Sequence, residues 1–223
     1  METLELIPVR TRILTAKDNI VDAIEKYAKD KVGPNDVVTV AESVVAITQG
    51  RYLYPDDMNP CFLAKILNRF VPQKGSLSSV YGMQAAMDAE GKWKVLFAML
   101  AGMIAKVFGR SGVFYQLAGR QAALIDDMTG TMPPFDKYVV YGPHDPYGVA
   151  AAIKERMGCY GAAVADVNDL KRALVVGITP ELDPQQLSRI LIDNPFGNAS
   201  QRTPIVIIKN YAQAKEKLAA SSR

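Results

Sequence analysis

Only two cysteines occur in 223 residues, Cys61 and Cys159, and they lie far apart. No CxxC pair exists, so neither a zinc ribbon nor a disulfide framework is indicated, and a reducing, cytoplasmic setting fits best. Histidine is scarcer still. His144 stands alone, so a Ser-His-Asp triad, a zincin motif or a histidine-based metal cluster has no route except through it. No GxxxxGK[ST] is present and no GxGxxG opens a helix, which disfavours P-loop and dinucleotide-binding architectures and leaves other routes to a nucleotide open. Charge of one sign is lacking too: 26 Lys and Arg face 23 Asp and Glu. No segment concentrates cations as a nucleic-acid surface would, and no nucleic-acid partner is expected. The most apolar run, Val95 to Ala105 between Lys94 and Lys106, is far short of the roughly 20 residues that span a bilayer. It is expected to be a buried core helix, and no membrane partner is expected. The acidic opening, Met1 to Glu5, does not resemble a signal peptide.

What is present is ample apolar content, 49% of residues, arranged as alternating strands and helices. Val37-Val38-Thr39-Val40 is a β-branched run that reads as a buried strand, and Ser43 to Thr48 continues it as a helix ended by Gly50. Val9 to Leu14 is expected as a short strand or arm, with Thr15 capping the next helix and Asp18 three residues on. Phe62 to Phe70 suits a helix, 72–82 a loop, and 83–89 and 93–108 two Met- and Ala-rich helices whose methionines fill a core. Gly102 allows close helix packing. Val113 to Leu117, Ala122 to Ile125 and Tyr138 to Tyr141 read as strands. Asp145-Pro146 and Asp183-Pro184 are helix starts, the first helix running to Gly158. Ala162 to Ala165, Arg172 to Val176 and Pro204 to Ile208 are strands, and 210–220 is a terminal helix. The fold class is α/β or α+β, a mixed β-sheet with flanking helices. The plausible boundaries are 72–82 and 131–136.

Two apolar runs end in carboxylates, at Asp126-Asp127 and at Asp166-Val167-Asn168. Ligands of α/β proteins gather beyond strand ends, and two carboxylates brought together invite a divalent cation that can hold a phosphate. Turn residues and helix caps explain the same letters. Arg51, Lys171 and Arg172 suit phosphate neutralisation or plain solvated charge. His144, inside Gly142-Pro143-His144-Asp145-Pro146, is accounted for by the turn around it.

The order and spacing of these segments resemble the coenzyme F-420 gamma-glutamyl ligase family. The resemblance rests on Ile7-Pro8-Val9-Arg10, on Val37 to Arg51 ending Thr48-Gln49-Gly50-Arg51, on Gly142 to Gly148 with Asp166-Val167-Asn168, and on Thr203-Pro204-Ile205-Val206-Ile207-Ile208. It implies a two-lobed gamma-glutamyl-ligase-like architecture over 1–223, the lobes at about 1–75 plus 110–223 with a helical insert at about 76–110. It further implies a GTP- and Mg²⁺- or Mn²⁺-dependent ligase that joins a small-molecule carboxylate to an amino acid through an acyl phosphate, acting as a homodimer. Carried over by position, Asp126 and Asp166 are metal ligands. Pro8, Val9, Ser43, Gly50, Arg51, Thr129 and Asn168 are on the nucleotide side. The chain departs from the family's pattern at Ile47, where the family has lysine, at Val167 in place of a threonine, at Thr129 in place of an asparagine, and at Leu124 in place of a glycine. The alternative is a non-catalytic ligand-binding or interaction relative of the same fold.

Overall fold

The computed structural model describes residues 4–71, 77–110, 112–127, 133–169, 171–197 and 200–215. Its strands are β1 (Leu6–Val9), β2 (Val37–Ala41), β3 (Tyr52–Leu53), β4 (Val139–Val140), β5 (Gly161–Asn168), β6 (Arg172–Ile178) and β7 (Ile205–Ile208). Its α-helices are α1 (Ile20–Ala28), α2 (Glu42–Thr48), α3 (Phe62–Asn68), α4 (Val80–Glu90), α5 (Lys92–Val107), α6 (Val113–Ala118), α7 (Arg120–Ala123), α8 (Pro146–Met157) and α9 (Pro184–Leu191). The fold is mixed α/β. The chain forms two compact units, Met1–Gly50 with Pro143–Arg223, and Arg51–Gly142.

The first unit is built on a five-stranded mixed sheet in the order β1-β7-β2-β5-β6. β2 and β5 are parallel, and β7 is antiparallel to both β1 and β2. Side chains alternate across the sheet. Val37, Ala163, Ala165, Val206 and Ile208 share a core with Leu187 and Leu191 of α9 and with Tyr211. The alternate positions, Val38, Val40, Ala162, Val164, Ile205 and Ile207, are equally buried. α8 packs on β5 and β6, and α1 packs on α8. Both Asp-Pro sequences start helices as expected: Asp145 accepts from Gly148 N–H and Asp183 from Gln186 N–H. Gly158, at φ 65°, closes α8.

One buried carboxylate ties the amino end of β2 to its neighbours. Asp36 is 1% exposed. It accepts from Gly33 N–H at 2.7 Å and from Asn210 N–H at 2.8 Å, and pairs with the Lys209 ammonium. Its backbone carbonyl accepts from Tyr160 N–H at 2.9 Å, just before β5. Desolvation pushes the Asp36 carboxyl up, but Lys209 and the two N–H donors outweigh it and hold the group below the usual carboxylate range.

The second unit is mostly helical, with the small antiparallel pair β3-β4. Its core joins Met58, Met83, Met87 and Met99 to Leu67, Leu77, Val95, Ile125 and Val139, so the methionines are core filler. Several expectations are corrected. Val113 to Leu117 and Ala122 to Ile125 are not strands: α6 and α7 occupy 113–118 and 120–123. These runs have no sheet to join, and a helix satisfies its own backbone donors and acceptors where a lone strand cannot. The β-carbon of Phe114 would lie 3.0 Å from a β-carbon placed on Gly102, which is why α5 and α6 approach so closely. The loop expected over 72–82 ends earlier, because α4 begins at Val80 with Ser79 as its N-cap. Near the N-terminus the strand is Leu6–Val9 rather than Val9 to Leu14, and Asn19, not Thr15, caps α1. Thr15 instead donates its N–H to Asp18 in the preceding turn. Helix is described at 211–215, and the rest of the expected terminal helix lies outside the described residues. The segment Val95 to Ala105 is helical but not a buried core helix. Among the α5 residues only Val95, Ala98 and Met99 are buried. No helix among the described residues is long and apolar enough to cross a membrane.

Removing the Asp36 carboxylate strands a partly buried ammonium and two amides. Asp36→Ala is expected to cost about 3 kcal/mol, read from urea unfolding followed by circular dichroism. Because the folded carboxyl titrates low, its contribution is complete above the unfolded-state value and is lost as pH falls through the folded one. The variant should therefore lose less stability than the parent on acidification.

Candidate functional site

The strand register of the first unit brings three carboxyl ends to one edge. Val9 pairs with Ile205, Ile205 with Val40, and Val40 with Val164, so one row of residues crosses four strands. β1, β2 and β5 all run the same way across that row; β1 ends on it, β2 one residue beyond it and β5 four residues beyond it. This is the edge at which open α/β sheets bind ligands. Pro8 and Val9 are the last residues of β1. Glu42 and Ser43 open α2 directly after β2. Asp166, Val167 and Asn168 end β5. Ala41 pairs with Ala165, so Glu42 and Asp166 each lie one residue beyond a paired position on adjacent parallel strands.

Asp166 is half-buried, and β6 runs beside it: Asp166 pairs with Leu174, and Asn168 with Arg172. Burial raises the Asp166 carboxyl above the usual range, and the Arg172 charge only partly offsets that. A carboxylate disfavoured by desolvation gains most from a cation. Glu42 is 4% exposed and adds a second carboxyl group at this edge. Sequence reasoning missed it. Its signal was an acidic residue immediately after a β-branched buried strand.

The remaining expected residues are distributed differently. Gly50 is at the far end of α2 from Ser43 and takes φ 70° there. Ile47 is 2% exposed and part of the core. Arg51 belongs to the second unit. Its guanidinium donates to the Gly142 carbonyl at 2.6 Å and to Gln121 Oε1 at 3.1 Å, and it lies over the Tyr141 ring. Asp126 is also in the second unit, half-buried, and its backbone exchanges two 2.9 Å hydrogen bonds with Val140. Its neighbour Asp127 is buried and serves the start of α4, accepting from the Ser79 N–H and hydroxyl and from the Ser78 hydroxyl. Thr129 lies outside the described residues. Lys171, at the turn between β5 and β6, pairs with Asp193, and both are exposed. His144 is exposed. Its backbone is clamped by Gln49, which accepts from His144 N–H at 2.7 Å and donates to the His144 carbonyl at 2.9 Å. His144 and Gln49 line a cleft of about 510 Å³ with Lys17, Asp18 and Asp145.

A model of the F420-0:gamma-glutamyl ligase family matches residues 8–166. The chain belongs to this family. The match covers more than half of the sequence, from Pro8 on β1 to Asp166 on β5. No curated protein matches the chain. Membership in the gamma-glutamyl ligase family carries ligase-like function on small-molecule substrates. Among the described residues, no group of three or more His, Cys, Asp or Glu side chains comes together as a metal cage. The oxygen donors at the edge, Asp166 foremost, are nonetheless of the type that hard divalent cations take.

The Asp166 environment gives a signed expectation. Its folded carboxyl titrates above the unfolded value, so stability is full below the unfolded value and falls as pH rises through the folded one. Asp166→Asn should therefore raise the Tm of cation-free protein at pH 8, by about 2 °C or more. The gain should shrink as pH is lowered in a calorimetric series.

Proposed function

We propose that this protein is a nucleotide- and divalent-cation-dependent gamma-glutamyl-type ligase that works through an acyl phosphate. The observation that supports it best is the common direction of β1, β2 and β5, whose carboxyl-terminal parts carry Pro8, Val9, Asp166 and Asn168, with Ser43 just after β2. In this reading a substrate carboxylate oxygen attacks the γ-phosphorus of GTP, the bond to GDP breaks, and an acyl phosphate forms. The amine of an amino acid then attacks the acyl carbon, inorganic phosphate leaves, and the amine proton passes to solvent. The chain's part is to hold and orient the reactants. Asp166 would hold Mg²⁺ or Mn²⁺, whose role is to offset charge on the phosphates, and Asp126 is assigned the same role by position in the sequence alone. Ser43 and Asn168 supply polar contacts on the nucleotide side, with Thr129, Gly50 and Arg51 following from position alone. A cytoplasmic homodimer completes the reading, and sedimentation equilibrium tests the dimer.

A second reading is favoured by one residue. Ile47, where the family has lysine, is buried and aliphatic and supplies no charge for a phosphate. A ligand-binding relative without turnover accommodates that substitution.

One pair of measurements separates them. A ligand present at a hundred times its Kd stabilises the native state by about 2.7 kcal/mol. Millimolar GTP with Mg²⁺ or Mn²⁺ is expected to raise Tm by several degrees, and Asp166→Asn to remove that rise. Phosphate release on adding glutamate and an acceptor acid supports the ligase. A thermal shift with no phosphate release supports the binding relative. No shift with GTP or ATP and either cation refutes both nucleotide readings.

A further inference from the structure

Exposed large apolar side chains are gathered on the second unit. Among the described residues of the first unit only Tyr147 and Leu174 are of this kind. The second unit exposes Trp93, Phe97, Leu100, Ile104 and Val107, and Phe108 follows them. The first five recur along α5 at alternating steps of four and three residues. That spacing places them in one stripe about 20 Å long, opposite the buried Val95, Ala98 and Met99. Phe97 is 68% exposed and Val107 84%. The stripe is a continuous apolar face rather than scattered residues, and contiguous faces of this kind mark interaction sites.

Charge says what the face meets. From Gly91 to Ile125 the sequence contains no Asp or Glu, and it carries Lys92, Lys94, Lys106, Arg110 and Arg120. The nearest preceding acid, Glu90, is engaged by Lys94 and by the Gln121 N–H. Cations therefore stand at both ends of the stripe. A second copy docked stripe to stripe would set Lys92 and Lys94 against like charges in either orientation, with no acid in the segment to offset them. An anionic lipid surface fits better. Aromatic and branched side chains enter the interface, and lysines and arginines reach the headgroups. We propose that α5 is an in-plane docking helix for anionic lipid surfaces. This narrows the expectation of no membrane partner to the absence of a spanning helix.

Trp93 is the only tryptophan and sits at one end of the stripe, so it reports directly. The full-length protein is mixed with vesicles of phosphatidylcholine alone or with one-third phosphatidylglycerol. Binding to the anionic vesicles, a shift of Trp93 emission to shorter wavelength, and quenching by brominated lipid are expected. Neutral vesicles and high salt should weaken all three. F97S/I104S and K92E/K106E should each reduce anionic-vesicle binding roughly tenfold or more, with circular dichroism unchanged because these side chains are exposed. Absence of flotation and of quenching overturns the proposal, and wild-type quenching requires no variant to fold. Equal binding by F97S/I104S also overturns it. So does a lipid-free dimer that F97S/I104S abolishes while no vesicle binding is seen, since that assigns the face to a second copy.

Discussion

A single desolvated carboxylate sets the frame of the sheet-bearing unit. Asp36 is almost fully shielded from solvent, so its position is dictated by the donors that reach it. Gly33, Lys209 and Asn210 do so, and the Asp36 carbonyl holds Tyr160. These contacts fix where β2 begins relative to the end of β7 and the start of β5. A one-residue slip in a sheet reverses every side chain. The register that sets Val9, Val40 and Val164 in one row is therefore anchored at the opposite end of β2.

Much of this architecture is legible in the amino-acid order. The β-branched runs at Val37 to Val40 and Ile205 to Ile208 can only be buried strands, and the two Asp-Pro starts specify helices by fixing both a cap and a φ angle. The misread segments share one property: local preference there is overruled by surroundings. Val113, Phe114 and Tyr115 favour strands, yet they lie beside α5 with no strand to pair with. Asn19 rather than Thr15 caps α1 because the helix begins at Ile20, where Asn19 Oδ1 accepts from the Val21 and Asp22 N–H groups, while Thr15 and Asp18 bond to each other in the turn before it. The two faces of α5 are both apolar, and hydrophobicity alone does not say which is covered.

The candidate site was legible in part for the same reason. Asp166 follows the buried part of β5, so its place toward the carboxyl end of that strand could be read directly. Glu42 reads as an ordinary first-turn acid, and its burial comes from the strands around it. The adjacent pair Asp126 and Asp127 looks symmetrical in the sequence. Packing separates them: Asp127 turns inward to the α4 start, while Asp126 keeps its backbone on Val140. Arg51 suggests a phosphate contact by residue type, whereas its neighbours in space are a carbonyl, an amide and an aromatic ring.

Leu124 and Gly142 form a mutually locked pair. A β-carbon on residue 142 would lie 2.7 Å from that of Leu124, so no L-amino acid with a side chain fits opposite this leucine without displacing it. Conversely, shrinking residue 124 to glycine opens a void beside an unprotected backbone. Neither position can drift by itself. A change at either position is therefore felt at the other, and a side chain at 142 calls for a smaller one at 124.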